Sequence, residues 1–363
     1  MSPRVAPRRR LAFVAITWLL LLACVEVVAR VTHDGPPPSG DLSLDNEWRW
    51  AAARAAAGEG PETPYVHDPV TGWRNRPLLR LPGLTTNRLG ARTSVEVTAR
   101  PAPGRPRLLL VGDSYTFGQN VTDEETFGSV LATRDLPGWD VVNLGVPGTG
   151  TDQQLLMFLE HGRPLEPTVV VLGFFTRDYS RNLLSFRDYA KPRFELDGDD
   201  LRLTGTPVLS PEALAAEYAT GERRVGAGVI SHAIGGLLRA WQRRRIEWVD
   251  AAAPGWQVLA RLMARFTHEV RAVGATPVWL LIPNRDAVEE GRSKYDELET
   301  LCAARATSLG LTLLSLTPAL RAAEAAGART YLPKAEGGHL SPAGHAVAAA
   351  ELARMLRESG LAR

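Results

Sequence analysis

Cysteine is nearly absent from this chain: 363 residues contain two, Cys24 and Cys302. That count excludes a disulfide framework and a cysteine-ligated metal site. Cys24 lies inside an N-terminal apolar run, and Cys302 falls in a helical pattern with Tyr295, Leu298 and Leu301 as a small core residue. No repeat period is present, which excludes a solenoid. Nor is there a one-signed charge field. The formal net charge is +2, and residues 1–30 alone carry +4, from Arg4, Arg8, Arg9, Arg10 and Arg30 against Glu26. The remaining residues therefore sum to −2, so no basic body exists to hold a nucleic acid. His33, His67, His161, His232 and His268 have no metal-ligand spacing. Neither a metal nor an organic cofactor is expected.

Long apolar runs are also scarce, with one exception. Leu11–Ala29 holds a single charge, Glu26, and follows Arg8-Arg9-Arg10. Nineteen helical residues span about 28 Å, close to a hydrocarbon core of about 30 Å. The positive-inside rule keeps the arginines in the cytoplasm and places the rest of the chain outside. A transmembrane anchor in the inner (cytoplasmic) membrane is the expectation. A cleaved signal peptide and a lipoprotein processed at Cys24 are the alternatives, and all three export the domain. The expected organisation is 1–30 basic tip and anchor, 31–104 linker and packed lead-in, and 105–363 main domain, with an insertion at about 179–250.

From Arg107 short apolar runs alternate with amphipathic stretches. Strands are predicted at Leu108–Val111, Asp140–Leu144, Thr168–Phe174, Pro277–Ile282 and Leu311–Leu316. Helices are predicted around Phe127–Leu131 and at Asp152–His161, Gln257–Val273, Tyr295–Leu309 and Pro342–Glu358. This alternation specifies a parallel sheet covered by helices. Within the insertion, Phe194–Leu203 reads as a hairpin around Asp197-Gly198, followed by helices from about Pro211 and up to Arg243-Arg244-Arg245. The arginine run is a solvated helix end or, alternatively, a lipid-headgroup contact.

Two segments carry chemistry. In Val111-Gly112-Asp113-Ser114-Tyr115-Thr116, a serine leaves a buried strand and begins a helix. Its N–H is then among the first unpaired helical amides, where negative charge is favoured. A structural N-cap is the plainer reading of the same residues. The second segment, Glu336-Gly337-Gly338-His339-Leu340-Ser341-Pro342, puts His339 on the loop entering the last helix. Its two glycines allow Glu336 to fold back onto Nδ1 and leave Nε2 for Ser114, an acid–base–nucleophile series.

With Asn143-Leu144-Gly145-Val146-Pro147-Gly148 and Gly344-His345, these motifs resemble an SGNH hydrolase (GDSL esterase superfamily) of the membrane-anchored bacterial type, over about residues 65–355. The lead-in residues Asp68-Pro69, Gly72-Trp73 and Asn87, Gly90, Arg92 resemble that branch too. The resemblance implies a flavodoxin-like three-layer α/β/α sandwich with a central sheet of about five strands. It also implies Ser114 as nucleophile, His339 as base, and an oxyanion hole from the Ser114 N–H, the Gly145 N–H and an Asn side chain after the third strand. The chain departs twice: Glu336 stands where the family has Asp, and Arg177 where it has Asn. A guanidinium curled inward would donate to the oxyanion; turned outward, it would leave two backbone donors. Asn143 and Asn182 are substitutes, the first reading better as a brace for the Gly145 loop and the second as a cap. The expected activity is hydrolysis of acyl (acetyl) esters of an envelope or extracellular polysaccharide. A polysaccharide O-acetyltransferase with the same residues, or a silent envelope binding protein, are the alternatives. The partners expected are an acylated glycan or small ester and the membrane.

Overall fold

A computed structural model describes residues 7–32, 41–57, 63–222 and 232–362. The start of the basic tip, two stretches of the expected linker (33–40 and 58–62) and part of the insertion (223–231) lie outside these residues. A helix runs Pro7–Thr32, and its window Leu11–Ala29 has a mean hydropathy of 2.5 with none of it buried. By length and composition it is able to cross a membrane.

Five parallel strands form the central sheet: β1 (Arg107–Gly112), β2 (Asp140–Asn143), β3 (Val169–Phe175), β4 (Thr276–Ile282) and β5 (Thr312–Ser315). Their spatial order is β5-β4-β3-β1-β2. Strands β1, β3 and β4 are buried almost throughout, which is why they read as unbroken apolar runs. Alternate side chains feed two separate cores. Leu109, Val111, Val170, Leu172 and Trp279 pack under the helices Thr151–Met157, Pro254–Ala272 and Asp296–Leu309, together with buried Cys302. Leu108, Leu110, Val169, Val171 and Leu280 pack under Thr317–Ala325 and Pro342–Glu358. The architecture is a three-layer α/β/α sandwich.

The chain passes from β1 out to β2, then returns across β1 to β3. The crossover directions therefore reverse between β1 and β3, and the loops at their carboxyl ends part there to leave a crevice. Ser114 follows β1, and Arg177 follows β3.

The predicted strands match these five within a few residues. The helix predicted over Asp152–His161 holds its regular form only to Met157 and continues as a wider turn, Phe158–Gly162. Phe127–Val130 likewise widens over Leu131–Asp135. In the insertion, Arg193–Asp197 pairs antiparallel with Asp200–Thr204, with Gly198 at φ 59° in the turn. Helices Pro211–Thr220, capped by Ser210, and His232–Glu247 follow.

Residues 63–104 carry structure that the sequence pattern did not announce. Tyr65–Asp68 pairs antiparallel with Gly72–Asn75. Asp68 makes the connecting turn by accepting from the Val70 and Thr71 amides, and its other oxygen lies 3.1 Å from His161 Nε2. Burial alone would raise the Asp68 pKa, but the His161 and backbone hydrogen bonds overcome it and hold the carboxyl well below its usual range. The hairpin grips the loop after β2. Trp73 Nε1 donates to Pro147 O at 3.0 Å, Asn75 Nδ2 to Gly145 O at 2.8 Å, and Gln153 Nε2 to Thr71 O at 2.7 Å.

Candidate active site

Ser114 opens a short helix, Ser114–Phe117, packed directly against the end of β1. Glycine is required beside it. A Cβ on Gly112 would come within 2.0 Å of Thr116 Oγ1, and one on Gly173 within 2.1 Å of the same atom. Asp113, rather than Ser114, is the cap: its Oδ1 accepts from the Tyr115 amide at 2.9 Å. The serine hydroxyl is not spent on the cap, though it lies 3.4 Å from Asp113 Oδ2. Arg92 secures the exit of this helix by donating to the Phe117, Gly118 and Val121 carbonyls, with Asp123 on its Nε.

His339 is held by a closed loop. Tyr331 and Leu340 form an antiparallel bridge, and the Leu332 amide donates to His339 O at 2.8 Å. The Tyr115 ring stacks on Phe175 (centroids 4.0 Å apart) and stands 5.0 Å from the imidazole, while its hydroxyl donates to Gly338 O. The two chemical segments, 225 positions apart, meet with His339 Nε2 at 3.0 Å from Ser114 Oγ. Burial pushes His339 below the ordinary imidazole pKa; Asp113 opposes this and Arg181 adds to it. The ring is neutral at pH 7, the form able to take a proton.

The third member expected, Glu336, is not at the imidazole. It is exposed, and His339 Nδ1 instead faces Asn120 Oδ1 at 2.8 Å. An amide oxygen only accepts, so Nδ1 carries the proton and the Nε2 lone pair is turned to the serine. The local reason is Gly337. A Cβ there would lie 2.6 Å from Asn120 Oδ1 and 3.3 Å from His339 Nδ1, so a side chain at 337 would claim the same space. Lacking one, Gly337 admits Asn120, which reaches in from a left-handed backbone position (φ 71°) that Asn tolerates. One signal for this was present in the sequence: Asn120 closes the turn that follows the Ser114 helix.

The groups expected to face an oxyanion are arranged as follows. The Gly145 N–H is committed to Asn143 Oδ1 at 2.9 Å, while Asn143 Nδ2 holds Thr116 O at 2.7 Å. Asn143 therefore braces the loop, and Gly145 packs behind Phe117. Gly148, three residues on, lines the same cavity as Ser114. Among the described residues neither its N–H nor that of Ser114 has an acceptor. Arg177 lines the same cavity as Ser114, its side chain exposed and without a hydrogen bond among the described residues. Asn182 is buried and accepts from the Asp152 amide.

One helical turn beyond Arg177, Arg181 was not anticipated. It donates to Asp113 Oδ2 at 2.8 Å, to Thr149 O and to Asp178 Oδ1. Burial opposes its charge, but Asp178 and Asp113 hold it protonated. Asp178 itself is driven well above the usual carboxylate range by burial and by Asp113. His345, a motif landmark, is a packing residue. It stacks on Phe127 and accepts the Phe127 amide on Nδ1. Burial, then Arg92 and His339, press its pKa down to about 3. Among the described residues no cluster suited to a metal ion occurs.

No match was found among curated proteins. Solved structures similar to this chain include a lipolytic protein of the G-D-S-L family from Desulfitobacterium hafniense, 13% identical with a TM-score of 0.41, covering 69% of this chain and 99% of that one. The lipase/acylhydrolase from Enterococcus faecalis is 15% identical with a TM-score of 0.39, covering 70% and 96%. The esterase EstA from Pseudoalteromonas sp. is 10% identical with a TM-score of 0.39, covering 69% and 97%. The family described as GDSL-like lipase/acylhydrolase matches residues 110–347, which hold both the Ser114 turn and the His339 loop. This chain belongs to that family and is an ester hydrolase.

Proposed function

We propose that this protein is a membrane-tethered, exported serine esterase that removes short acyl groups from a cell-envelope or extracellular polysaccharide. The observation that carries the catalytic part is the 3.0 Å approach of His339 Nε2 to Ser114 Oγ with Nδ1 held by Asn120. Ser114 Oγ attacks the ester carbonyl as its proton passes to Nε2. The Ser114 and Gly148 N–H groups hold the oxygen of the tetrahedral intermediate. Collapse breaks the acyl–oxygen bond, and the alcohol leaves with the proton from His339. Water then gives a proton to the same nitrogen and attacks the acyl-serine; collapse breaks the bond to Ser114 Oγ, which takes the proton back from Nε2 as the acid leaves. Asn120 orients the ring throughout, in the place where an acid was expected. The apolar helix Leu11–Ala29, preceded by three arginines, supports tethering with the domain on the outer side of the inner membrane.

Labelling of the full-length chain in detergent with a fluorophosphonate probe tests the reading. Labelling is expected, absent in Ser114→Ala and reduced about a hundredfold or more in His339→Ala. An unlabelled native chain refutes catalysis by this serine.

A further inference from the structure

The crevice that holds Ser114 has a volume of about 620 Å³, room for a ligand of one or two sugar units. Its wall is charged in a way that hydrolysis of a neutral ester does not require. Arg177, Arg181, Arg187, Arg285, Lys294 and Lys334 line it, against the carboxylates Asp188 and Asp286. The rest of the chain beyond the N-terminal helix sums to −2, so this positive wall is a local concentration within an acidic body.

Four of the six cations have partners that account for them. Arg181 is paired with Asp113 and Asp178, Arg187 with Asp188, Arg285 with Glu289 and Lys294 with Glu247. Arg177 and Lys334 have no carboxylate partner among the described residues, and both are exposed. They stand on the two loops that flank the reacting pair, Arg177 after β3 and Lys334 five residues before His339. Arg177 is close enough to act electrostatically on Tyr115 and Tyr295, both lining residues. A cleft with low-dielectric walls focuses such uncompensated charge.

We infer that the crevice selects an ester carrying a carboxylate or similar anion near the scissile bond, held between Arg177 and Lys334. This rests on the esterase reading for its chemistry, though not for its binding. The anion belongs either to the alcohol side, as in an acylated uronic acid, or to the acyl side, as in a dicarboxylic half-ester.

Binding to full-length Ser114→Ala separates the two questions, since no turnover is needed. Two matched pairs are titrated by calorimetry: 4-acetoxybenzoate against its methyl ester, and mono-4-nitrophenyl succinate against 4-nitrophenyl butyrate. The anionic member of one pair is expected to bind about tenfold more tightly, the size of one charge-assisted hydrogen bond, and the pair that responds identifies the side. That preference should shrink at about 0.5 M salt. It should vanish when Arg177→Gln and Lys334→Gln are added, and return with Arg177→Lys and Lys334→Arg. Equal or weaker binding of both anions, or a preference untouched by the glutamine pair, overturns the inference. Turnover of the neutral esters by the native chain reports separately on the esterase reading.

Discussion

Replacing Asn120 by Asp converts the neutral partner of His339 into a carboxylate without changing its shape. The atoms facing each other are 2.8 Å apart, which puts the charge centres about 4 Å from one another. A unit pair at that separation is worth about 4 kcal/mol at an effective dielectric constant of 20 and about 1 kcal/mol in bulk water. His339 is half-buried, so an interaction of about 1–3 kcal/mol is expected, or roughly one to two pKa units. In the native chain burial depresses this pKa; the new carboxylate acts in the opposite sense. The base form is the active one, so the acidic limb of the pH profile of kcat/KM moves to higher pH by that amount. On its plateau kcat increases about tenfold, because the imidazolium formed in the transition state is now paired. Hydrolysis of 4-nitrophenyl acetate across about pH 4–9 measures both. Asn120→Ala should lose roughly ten- to a hundredfold in kcat, and Glu336→Gln should stay within twofold of native. An unmoved acidic limb in Asn120→Asp, or a collapse of activity in Glu336→Gln, would refute the assignment and return the acid's role to Glu336.

Alanine at two neighbouring glycines should separate support from chemistry. Gly145→Ala drives a Cβ to 2.5 Å from the Phe117 amide and is expected to cost about 1–3 kcal/mol in denaturant unfolding. Gly148→Ala disturbs a φ of 85° beside the flexible Arg187 and Asp188 side chains and should lower kcat by about a hundredfold; equal effects on stability and rate at both positions would contradict the division. His345 is held at a pKa of about 3 against 6.5 when unfolded. The unfolded chain binds the extra proton, so its contribution is complete above 6.5 and is lost as pH falls toward 3. Between about pH 7 and 4.5 the loss is about 2.5 kcal/mol, and a His345→Gln chain with the same pH dependence of unfolding would disprove it. Lys191 and Asp152 form a fully buried ion pair. Lys191→Ala should therefore cost about 3–5 kcal/mol while Lys191→Met with Asp152→Leu recovers most of it; an undiminished melting temperature in the single variant would count against that account.

The central sheet was legible because β1, β3 and β4 are buried on both faces, and burial of that kind leaves unbroken apolar runs in the sequence. Ser114 and His339 were legible because each sits where an element begins, marked by small or helix-starting residues. The rest of the site was not legible, for more than one reason. Asn120 meets His339 across 219 positions, and its place at the close of the turn after Ser114 is the one local sign of it. Glu336 had the right spacing, but the one-turn helix Lys334–Glu336 carries it out to solvent. Gly145 and Gly148 are equivalent on paper; only the Asn143 hydrogen bond distinguishes the donor already engaged from the one that is free. The Tyr65–Asn75 hairpin escaped notice because four-residue strands are too short for a period to register.

That hairpin bears on where the catalytic unit begins. Trp73 and Asn75 hold the carbonyls of Pro147 and Gly145, so the loop that carries Gly145 and Gly148 rests on chain that precedes the sheet. A polypeptide started at residue 105 would keep every residue of the acid–base chemistry and still lose the clamp on that floor. It would resemble an engine lifted off its mounts, with the Gly148 turn free to drift relative to Ser114. In any shortened or fused form, the hairpin from Thr63 onward therefore belongs with the sheet, well upstream of its first strand.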